Sequence, residues 1–396
     1  MDFEEWEVEE GVASPERSNA RERLRPCSKT MTFDIRKGKM MLRIGYDAQA
    51  FLSPNGGLGK GLQLRNLLGR HIENFAGFAS TAPNRSGMKL IQEGAHRHRI
   101  WQQLSLPNSL RRHKIDLFLA PENTAPFFLP SSVRLILVLH DTILQQGFKW
   151  RGLKSRLIDT YQRRQIPASV SRAEVILTVS EHSRSEILRL FPEANVHVIP
   201  CTIPETWFDP APMETRKDFL LMVTSSAPHK NAAGAIAGYA AYARLAGDSA
   251  APAKIVGLSR EVDSYKPLLE RFGVAHLVSF MPFLTEAELR NLYRSARAAL
   301  IPSFSEGFGI PLLEAMATGT PVLTSNVTSL PEVGGQAPFY FDPHKPEDIG
   351  SAIAAVMTNP DRQQRMATLG LERARAYHPS VVSRLVDDFW REVANV

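Results

Sequence analysis

The chain has 396 residues, 43% of them hydrophobic and 22% charged, a composition typical of a soluble protein and a length sufficient for two domains with separate cores. Its longest uncharged runs, such as residues 231–243, are too short to cross a bilayer, and its acidic start, MDFEEWEVEE, is unlike a signal peptide. The net charge of +6 indicates an anionic partner, which could be a nucleic acid, a phosphorylated substrate or a lipid surface.

The cysteine content argues against both a disulfide framework and a zinc site. Cys27 and Cys201 are far apart in sequence, and neither has a C-x-x-C or Cys/His spacing around it. We therefore expect a cytoplasmic protein.

The first forty residues differ in character from the rest. Residues 1–40 are charged, mixed and without apolar periodicity, which predicts a disordered extension. The folded part is expected to begin at MMLRIGYDAQAF. Met40 or Met41 is a candidate start codon, which N-terminal sequencing of the native protein would test.

From residue 41, short β-rich runs alternate with longer helical stretches. Near-continuous apolar strands separated by helices indicate parallel sheets covered on both faces, and the Pro-rich stretch 199–218 is typical of an interdomain linker. We predict an α/β fold with two doubly wound domains, 41–205 and 206–378, facing each other across a cleft, and an amphipathic helix over 379–396 that packs across both. The runs predicted as strands are LRIGY, IDLFLA, VRLILVLH, AEVILTVS and VHVIP in the first domain, and FLLMVTSS, AKIVGL, LVSFMPF, AALIPS and PVLTS in the second.

The stretch SFSEGFGIPLLEAMATGTPVLTS, residues 303–325, combines two carboxylates with glycines and a helix start. Glu306 is predicted in the loop at the carboxyl end of a strand, and Glu314 one turn into the following helix. Carboxylates accept hydrogen bonds from sugar hydroxyls, while Gly307, Gly309 and the free N–H groups of a helix start suit phosphate. The combination fits a nucleotide sugar. The alternative is a solvating loop glutamate and an ordinary glutamate in a helix first turn.

A longer run around this stretch resembles a known enzyme family. SEGFGIPLLEAMATGTPVLTSNVTSLPEVGG is similar to the E-x7-E donor-binding segment of family 4 glycosyltransferases, retaining enzymes of the GT-B fold, and the resemblance covers nearly the whole chain from about residue 42. It implies two Rossmann-like domains, with Glu306 on hydroxyls of the donor sugar and Glu314 on the ribose of the nucleotide. Main-chain amides implied to meet sugar and phosphate belong to Gly307, Phe308, Gly309 and Ile310.

A second cluster, VTSSAPHKN, follows the first strand of the second domain. Lys230 at its end would face the same cleft and could neutralise a diphosphate leaving group, although a solvated lysine at a helix start is the alternative. The family has a glycine and an arginine, the second pyrophosphate clamp, where this chain has Thr224 and Ser225. His229 is a candidate substitute for that arginine.

The loop SPNGGLGKG, residues 53–61, follows the first strand. It does not match G-x-G-x-x-G, because residue 62 is leucine, but it resembles the family's GG-I-G loop on the acceptor side of the cleft. The resemblance makes Gly56, Gly57 and Gly59 candidates for close backbone approach to a substrate, with Lys60 beside them. A plain tight turn is the alternative.

Two further segments lie at the carboxyl ends of predicted strands. LVLHDT places His140 and Asp141 there, where a histidine of the family lies beside sugar and acceptor, so both are assigned to the active site; a structural His-Asp pair is the alternative. In VSEHSRSEI, Ser180 is a good helix N-cap with Ser183 nearby, and capping is favoured over an acceptor contact.

The segment KWRGLKSRLIDTYQRR, residues 149–164, carries six basic residues with apolar residues at helical spacing. Such a helix could bind an anionic membrane surface, which the resemblance makes plausible because relatives in that family often act on lipid-linked acceptors, or it could be a core helix with a basic solvated face.

The chain contains no Asp-x-Asp, so a metal ion that holds the diphosphate is not indicated. We predict transfer without metal or cofactor, in which Lys230 and helix N–H groups stabilise the leaving group. No carboxylate stands out as a nucleophile on the opposite face, which favours a same-face attack over a covalent intermediate, as the resemblance also implies. A mannosyl or glucosyl donor and a saccharide or lipid-linked acceptor of bacterial envelope polysaccharide synthesis are the substrates expected from the resemblance.

Other functions stay open at this stage. A sugar-nucleotide epimerase or a phosphorylase shares the two-domain architecture, and a non-catalytic partner subunit would explain Ser225 in place of the arginine. A nucleic-acid binder would explain the positive charge, but it would leave the glutamates without a role, and no recognition helix or aromatic RNA motif is present.

Overall fold

The structure, a computed structural model, describes residues 42–51, 58–69, 75–80, 90–95, 98–143 and 153–395. Three sequence predictions fall outside these residues. They are the N-terminal extension over 1–40, the glycines Gly56 and Gly57, and the beginning of the basic segment, residues 149–152.

The N-terminal half is built on a parallel sheet. Its strands are β1 (Ile44–Asp47), β2 (Ala76–Ala79), β3 (Leu90–Gln92), β4 (Leu117–Ala120), β5 (Arg134–Val138), β6 (Val175–Thr178) and β7 (Val196–Val198). Among the described residues they lie side by side in the order β3-β2-β1-β4-β5-β6-β7. The helices are α1 (Leu58–Leu68), α2 (His98–Ile100), a π-helical turn (Trp101–Ser105), α3 (Leu106–Arg112), α4 (Leu153–Arg172) and α5 (Glu181–Leu190).

The C-terminal half repeats this plan. Its strands are β8 (Lys217–Val223), β9 (Ala253–Val256), β10 (Val278–Phe280), β11 (Ala296–Ile301), β12 (Val322–Ser325) and β13 (Phe339–Phe341), in the parallel order β10-β9-β8-β11-β12-β13. The helices are α6 (Ala232–Ala246), α7 (Val262–Arg271), α8 (Glu286–Ser295), α9 (Ile310–Ala317), α10 (Leu330–Gly334), α11 (Pro346–Met357), α12 (Pro360–Ala374) and α13 (Pro379–Asn395). Short 3₁₀ turns are Ala48–Phe51, Glu205–Trp207, Met213–Thr215, Pro228–Lys230, Gly247–Ser249 and Arg375–Tyr377.

Both faces of each sheet are buried, as the continuous apolar strands predict. In β8, Leu220 and Met222 pack into one core while Phe219 and Leu221 pack into the other, because successive side chains of a strand point to opposite faces. This arrangement confirms the predicted fold class of two doubly wound α/β domains.

The chain order creates one switch point in each sheet. In the N-terminal sheet the strand order reverses between β1 and β4, and in the C-terminal sheet it reverses between β8 and β11. The loops that follow such neighbouring strands diverge to opposite faces and leave a crevice at their carboxyl ends, which is where open α/β sheets bind ligands. Two crevices are therefore set by topology alone.

Helix α13 returns from the C-terminal domain to the N-terminal one. Its apolar face joins the N-terminal core through Val386 and Phe389, and the Trp390 Nε1–H donates to the carbonyl of Leu67 at 2.6 Å. This helix was expected to pack across both domains; its contacts through Val386, Phe389 and Trp390 lie in the N-terminal core. None of the helices in the described part of the chain combines the length and apolar character that a membrane span requires.

Candidate active site

Lys230 and Glu306 flank the crevice of the C-terminal domain and contact each other directly. Lys230 ends the turn that follows β8, and Glu306 lies in the loop that follows β11. The Lys230 Nζ lies 2.6 Å from Oε1 and 2.8 Å from Oε2 of Glu306, which is 8% exposed, and Ser303 Oγ donates to Oε1 at 2.7 Å. The predicted phosphate-binding cation and the predicted sugar-binding carboxylate thus form one ion pair.

Hydrogen bonds fix the turn that carries Lys230. Thr224 Oγ1 donates to the Lys230 carbonyl at 2.7 Å. Asn231 caps α6 in the left-handed conformation (φ 54°), accepts from the Gly234 N–H, and donates to the carbonyl of Pro302 at the end of β11. The Lys230 turn is therefore tied to the strand that leads to Glu306.

Glu314 lies one turn into α9, where the charge of Lys230 acts on its carboxyl. Its Oε2 accepts a hydrogen bond from the hydroxyl of Tyr293 at 3.1 Å. Burial raises the pKa of Glu314 to about 8, Glu286 adds to the rise, and Tyr293 and Lys230 oppose it. The side chain keeps a partial opening to solvent, so this carboxyl can exchange its proton when a ligand arrives.

The glycine loop before α9 lies against the N-terminal domain. A Cβ on Gly307 would lie 2.6 Å from the carbonyl oxygen of His140, so only glycine fits there. Gly309 has a φ of +100° and precedes Ile310, the first residue of α9, while the ring of Phe308 is buried 5.2 Å from that of Tyr377. The buried ring of Phe308 and the backbone conformations at Gly307 and Gly309 therefore fix the positions of the amides in this loop.

His140 and Asp141 face this loop from the N-terminal domain. Burial, assisted by the charge of Lys60, lowers the pKa of His140 to about 4. Its Nε2 lies 2.9 Å from the carbonyl of Pro121, which can only accept, so the neutral imidazole carries its proton on Nε2. Burial raises the pKa of Asp141, whose Oδ1 accepts from the Ile143 N–H at 3.1 Å. His140 is thus a neutral group at the crevice.

Ser225 and His229 do not supply the charge of the arginine that the resemblance implies. Ser225 Oγ accepts from the Ala227 N–H at 3.4 Å within the loop after β8. Burial, with the charge of Lys230, lowers the pKa of His229 to about 4, so the imidazole is neutral at physiological pH. His229 can contribute a hydrogen bond to a donor but no positive charge.

The crevice of the N-terminal domain holds a second cluster, which we call the β1/β4 cluster: Asp47, Lys60, His98 and Glu122. Asp47 ends β1, is 2% exposed, and lies with Oδ2 3.7 Å from His98 Nε2. Burial lowers the pKa of His98, but the neighbouring carboxylates of Asp47 and Glu122 outweigh this and raise it. Burial raises the pKa of Glu122, which follows β4, and Lys60 opposes that rise.

Sequence reasoning missed Asp47, His98 and Glu122 as site residues. The signal that could have found two of them is positional, since Asp47 ends the first strand and Glu122 follows the strand that lies beside it. Lys60, which was predicted beside Gly59 in the loop after β1, acts electrostatically on Glu122 and also on His140. Gly59 lies in the first turn of α1.

A cavity elsewhere in the C-terminal domain carries no comparable chemistry. It has a volume of about 690 Å³ and lies beside the amino ends of β8 and β11, away from the crevice. Three of its charged groups have partners: Arg297 pairs with Asp218 at 3.0 Å, and Arg216 donates to the carbonyl of Thr318. We assign no site there.

The chain matches two family models that adjoin each other. Glycosyltransferase Family 4 covers residues 75–207 and Glycosyl transferases group 1 covers residues 204–373. The chain is also 30% identical over 285 residues to O-antigen chain mannosyltransferase B of Escherichia coli, which covers 68% of this chain and 72% of that relative. The chain belongs to glycosyltransferase family 4.

Other relatives of this glycosyltransferase extend the comparison. MMP alpha-(1->4)-mannosyltransferase of Mycolicibacterium hassiacum is 30% identical over 205 residues, 50% of this chain and 49% of the relative. Sucrose-phosphate synthase from Thermosynechococcus elongatus is similar in structure with a TM-score of 0.70 at 16% identity, over 89% of this chain and 99% of that one. Anabaena Alr3699/HepE in complex with UDP and glucose gives 0.67 at 15% identity, over 89% and 100%. The glycosyltransferase shares their two-domain GT-B fold.

Proposed function

We propose that this glycosyltransferase moves a hexose, with mannose the first candidate, from a nucleotide sugar to a hydroxyl of a saccharide or lipid-linked saccharide, with retention of configuration and without a metal ion. The observation that carries this function is the Lys230–Glu306 ion pair at the β8/β11 crevice, 2.6 Å long, with Glu314 on the adjoining helix. A cation for the diphosphate and two carboxylates for hydroxyls lie together in one place.

The donor would be bound by groups that now satisfy each other. A diphosphate placed at the start of α9 would share the Nζ of Lys230 and receive hydrogen bonds from the loop amides. Glu306, relieved of part of its ion pair, would accept from hydroxyls of the sugar, and Glu314 would accept from the ribose. The ion pair therefore keeps both charges neutralised until a donor with matching charge and hydroxyls replaces part of it.

The transfer itself would need little from the side chains beyond positioning. The acceptor hydroxyl would attack the anomeric carbon on the face from which the diphosphate leaves, the bond from that carbon to the diphosphate oxygen would break, and the hydroxyl proton would pass to the diphosphate. Lys230 would stabilise the negative charge on the leaving group. His140, neutral with its proton on Nε2, would lie beside the sugar as a hydrogen-bonding group rather than a base.

Similarity supports the choice of substrate. O-antigen chain mannosyltransferase B and serotype-specific mannosyltransferase WbdA of Escherichia coli are relatives, and WaaG, a glycosyltransferase involved in lipopolysaccharide biosynthesis, is a structural neighbour with a TM-score of 0.65. Envelope polysaccharide synthesis on the cytoplasmic side of a bacterial membrane is the proposed role.

The test of this function is a transfer assay with product analysis. The full chain is incubated in EDTA with a panel of nucleotide sugars and with lipid-extracted oligosaccharide acceptors, and nucleoside diphosphate release and the anomeric configuration of the product are measured by NMR. We expect one donor to give an α-linked product, with loss of the signal in Glu306→Gln and retention in Glu372→Gln, an exposed glutamate of α12. Release of nucleotide without a glycoside would favour the epimerase, and an inverted product would overturn the retaining route.

An anionic membrane surface is proposed as a second partner. Beside α4, the apolar side chains of Leu104 and Phe128 are 64% and 78% exposed. A cation–aromatic contact lies beside them. The Arg99 guanidinium is 5.5 Å from the centre of the Tyr161 ring, and that ring is 6.0 Å from the ring of Phe127. Exposed apolar groups beside cationic ones are the combination that anionic lipid binds.

Vesicle co-sedimentation tests this surface. The wild type is expected to pellet with vesicles that contain phosphatidylglycerol and not with pure phosphatidylcholine, and the Leu104→Ser/Phe128→Ser variant should stay in solution. Phe283→Ser is the matched control, because Phe283 is 80% exposed in the C-terminal domain. Equal binding by both variants would place the contact elsewhere.

A non-catalytic partner subunit is the second candidate function. Ser225 lies where the resemblance implies an arginine, and His229 beside it is neutral. This function predicts no donor binding by the wild type and no nucleotide release in the transfer assay.

A further inference from the structure

The amino end of helix α5 in the N-terminal domain is capped by a carboxylate from the C-terminal domain. The Glu181 N–H donates to Oε1 of Glu332 at 2.8 Å, and the His182 N–H donates to Oε2 at 2.9 Å. The first N–H groups of a helix have no partner within it, and a negative charge there is stabilised by the helix dipole. Glu332 lies in α10, so this cap joins the two domains.

The same end of α5 contacts the loop between β11 and α9, which we call the donor loop (residues 303–310). Ser180, the N-cap of α5, donates through Oγ to the carbonyl of Gly307 at 2.7 Å, and Ser183 Oγ lies 3.1 Å from the same carbonyl. Gly307 directly follows Glu306, the carboxylate proposed to accept from the donor sugar. The orientation of α5 therefore bears on the backbone next to Glu306.

The segment that carries Glu332 also holds Glu306 from the other side. Thr328 Oγ1 accepts from the Glu306 N–H at 3.1 Å, and Ser329 Oγ donates to the Glu306 carbonyl at 2.9 Å. The guanidinium of Arg373 binds the carbonyls of Glu332 and Val333, which anchors α10 without using the Glu332 side chain. A closed set of hydrogen bonds thus runs from Glu306 through α10 and α5 to Gly307.

We propose that Glu332 is a positioning residue that couples the contact between the two domains to the orientation of Glu306. Its carboxylate is the part of this set that holds α5 to α10, and it thereby keeps Ser180 and Ser183 on the Gly307 carbonyl and fixes the loop that carries Glu306. The inference rests on the proposed donor site, because it concerns the orientation of Glu306 toward the donor sugar. Glu332 itself would touch no substrate.

The variants Glu332→Gln and Glu332→Ala test this coupling. Glutamine keeps one acceptor oxygen and loses the other, and alanine loses both, so the defects should be graded. Glu181→Gln is the matched control: it removes a carboxylate from the same helix end, where Glu181 pairs at the surface with Arg184 at 3.4 Å. Neither substitution at Glu332 disturbs the backbone anchor provided by Arg373.

Kinetics in the full chain separate positioning from simple helix capping. At saturating donor, kcat is expected to fall about tenfold in Glu332→Gln and up to about a hundredfold in Glu332→Ala, while the donor Kd from calorimetry changes less than about threefold. Glu181→Gln should match the wild type in both. A lower melting temperature with unchanged kcat would leave Glu332 a structural cap and overturn the inference.

Hydrogen exchange reads the coupling without substrate. We expect faster amide exchange in residues 303–310 of the donor loop as well as at the start of α5 in Glu332→Ala, and no change in Glu181→Gln. Faster exchange confined to α5 would overturn the coupling. If the wild type turns over no donor, the proposed function fails while the exchange measurement still decides the coupling.

Discussion

The two domains place crevices at equivalent points of their sheets but fill them with different charges. At β8/β11 a lysine and a glutamate form an ion pair 2.6 Å long, whereas at β1/β4 the His98 imidazole lies 3.7 Å from the Asp47 carboxylate and close enough to Glu122 for its charge to act on it. The shared topology determines where a ligand binds, and the residue types determine which ligand. A cation with carboxylates suits a diphosphate flanked by hydroxyls, while the β1/β4 cluster, rich in carboxylates, suits hydroxyls of an acceptor.

Of the variants that distinguish the two crevices, removal of the Lys230 cation from the C-terminal crevice should have the largest effect on sugar transfer. Lys230→Met takes away the charge next to the leaving diphosphate, so the rate of sugar transfer should fall about 10²- to 10³-fold. The measurement is nucleoside diphosphate release at saturating acceptor. Lys266→Met is the control, because that lysine is 58% exposed and pairs with Asp263 on the surface; an equal loss in both variants would contradict the assignment.

A double variant sharpens this result. Lys230 and Glu306 contact each other, so their effects should not be additive. Lys230→Met/Glu306→Gln should raise the activation free energy of transfer by less than the sum of the increases in the two single variants. Additive losses in the transfer rate would show that the ion pair has no role in donor handling.

The N-terminal crevice should respond through the acceptor instead. Asp47→Asn and Glu122→Gln each remove a carboxylate that could accept from acceptor hydroxyls, so the acceptor KM should rise about tenfold, the effect of losing a charged hydrogen bond, with the donor Kd unchanged. Initial rates and calorimetry measure the two quantities. Glu193→Gln, an exposed glutamate near β7, is the control. A changed donor Kd would erase the distinction between the crevices.

The pH dependence of donor binding separates the crevices further. Burial raises the pKa of Glu314 to about 8, and a ribose hydroxyl donates a stronger hydrogen bond to the ionised carboxylate than to the protonated carboxyl. Donor affinity should therefore increase as the pH rises from 6 to 8, by at most about tenfold per unit, and level off above. The buried imidazoles of His140 and His229 have pKa values of about 4 and do not titrate in this range.

Calorimetry at several pH values measures this dependence, and Glu314→Gln should flatten it.

The raised pKa of Glu314 also makes the free energy of unfolding depend on pH. Between the ordinary carboxyl pKa and about 8, the unfolded chain has lost the Glu314 proton while the folded chain keeps it, so the free energy of unfolding falls as the pH rises through this window. A wild type and Glu314→Gln with parallel stability curves would contradict the buried, protonated carboxyl.

The smallest effect is expected from adding a second cation to the C-terminal crevice. Ser225 lies in the loop after β8, with its hydroxyl 3.4 Å from the Ala227 N–H. Ser225→Arg should strengthen donor binding a few fold, about 1 kcal/mol for a partly exposed charge near a diphosphate. Unchanged donor affinity would mean that Lys230 and the loop amides already neutralise the diphosphate.

Local patterns carried most of what could be predicted. Glu306, Glu314 and the glycines between them belong to one strand-loop-helix segment, so their spacing and the resemblance it carries were enough to propose a donor site there. Ser180 was predicted as an N-cap because capping depends on a few consecutive residues, and its Oγ accepts from the Ser183 N–H. Within the described residues, the longer strands were predicted too, since each is an almost unbroken apolar run.

Contacts between distant segments could not be predicted. The Lys230–Glu306 pair joins residues 76 positions apart, and the bond from Glu181 to Glu332 joins residues 151 apart. Neither segment's composition encodes its partner, because that pairing is decided by how the sheets and domains pack. Strands β2, β3 and β13 were missed. The run AGFA of β2 contains glycine and alanine, which are depleted in strands, while LIQ and FYF stand alone, unlike the equally short β7 and β10, which belong to longer apolar runs.

The most direct test of the donor site is a calorimetric titration of the full chain with a panel of nucleotide sugars in EDTA, beside Glu314→Ala and Asp47→Asn. The β8/β11 assignment predicts that one donor binds with micromolar affinity, that Glu314→Ala loses this binding, and that Asp47→Asn keeps it. Binding that survives in Glu314→Ala, or that Asp47→Asn abolishes, would contradict a donor site between β8 and β11.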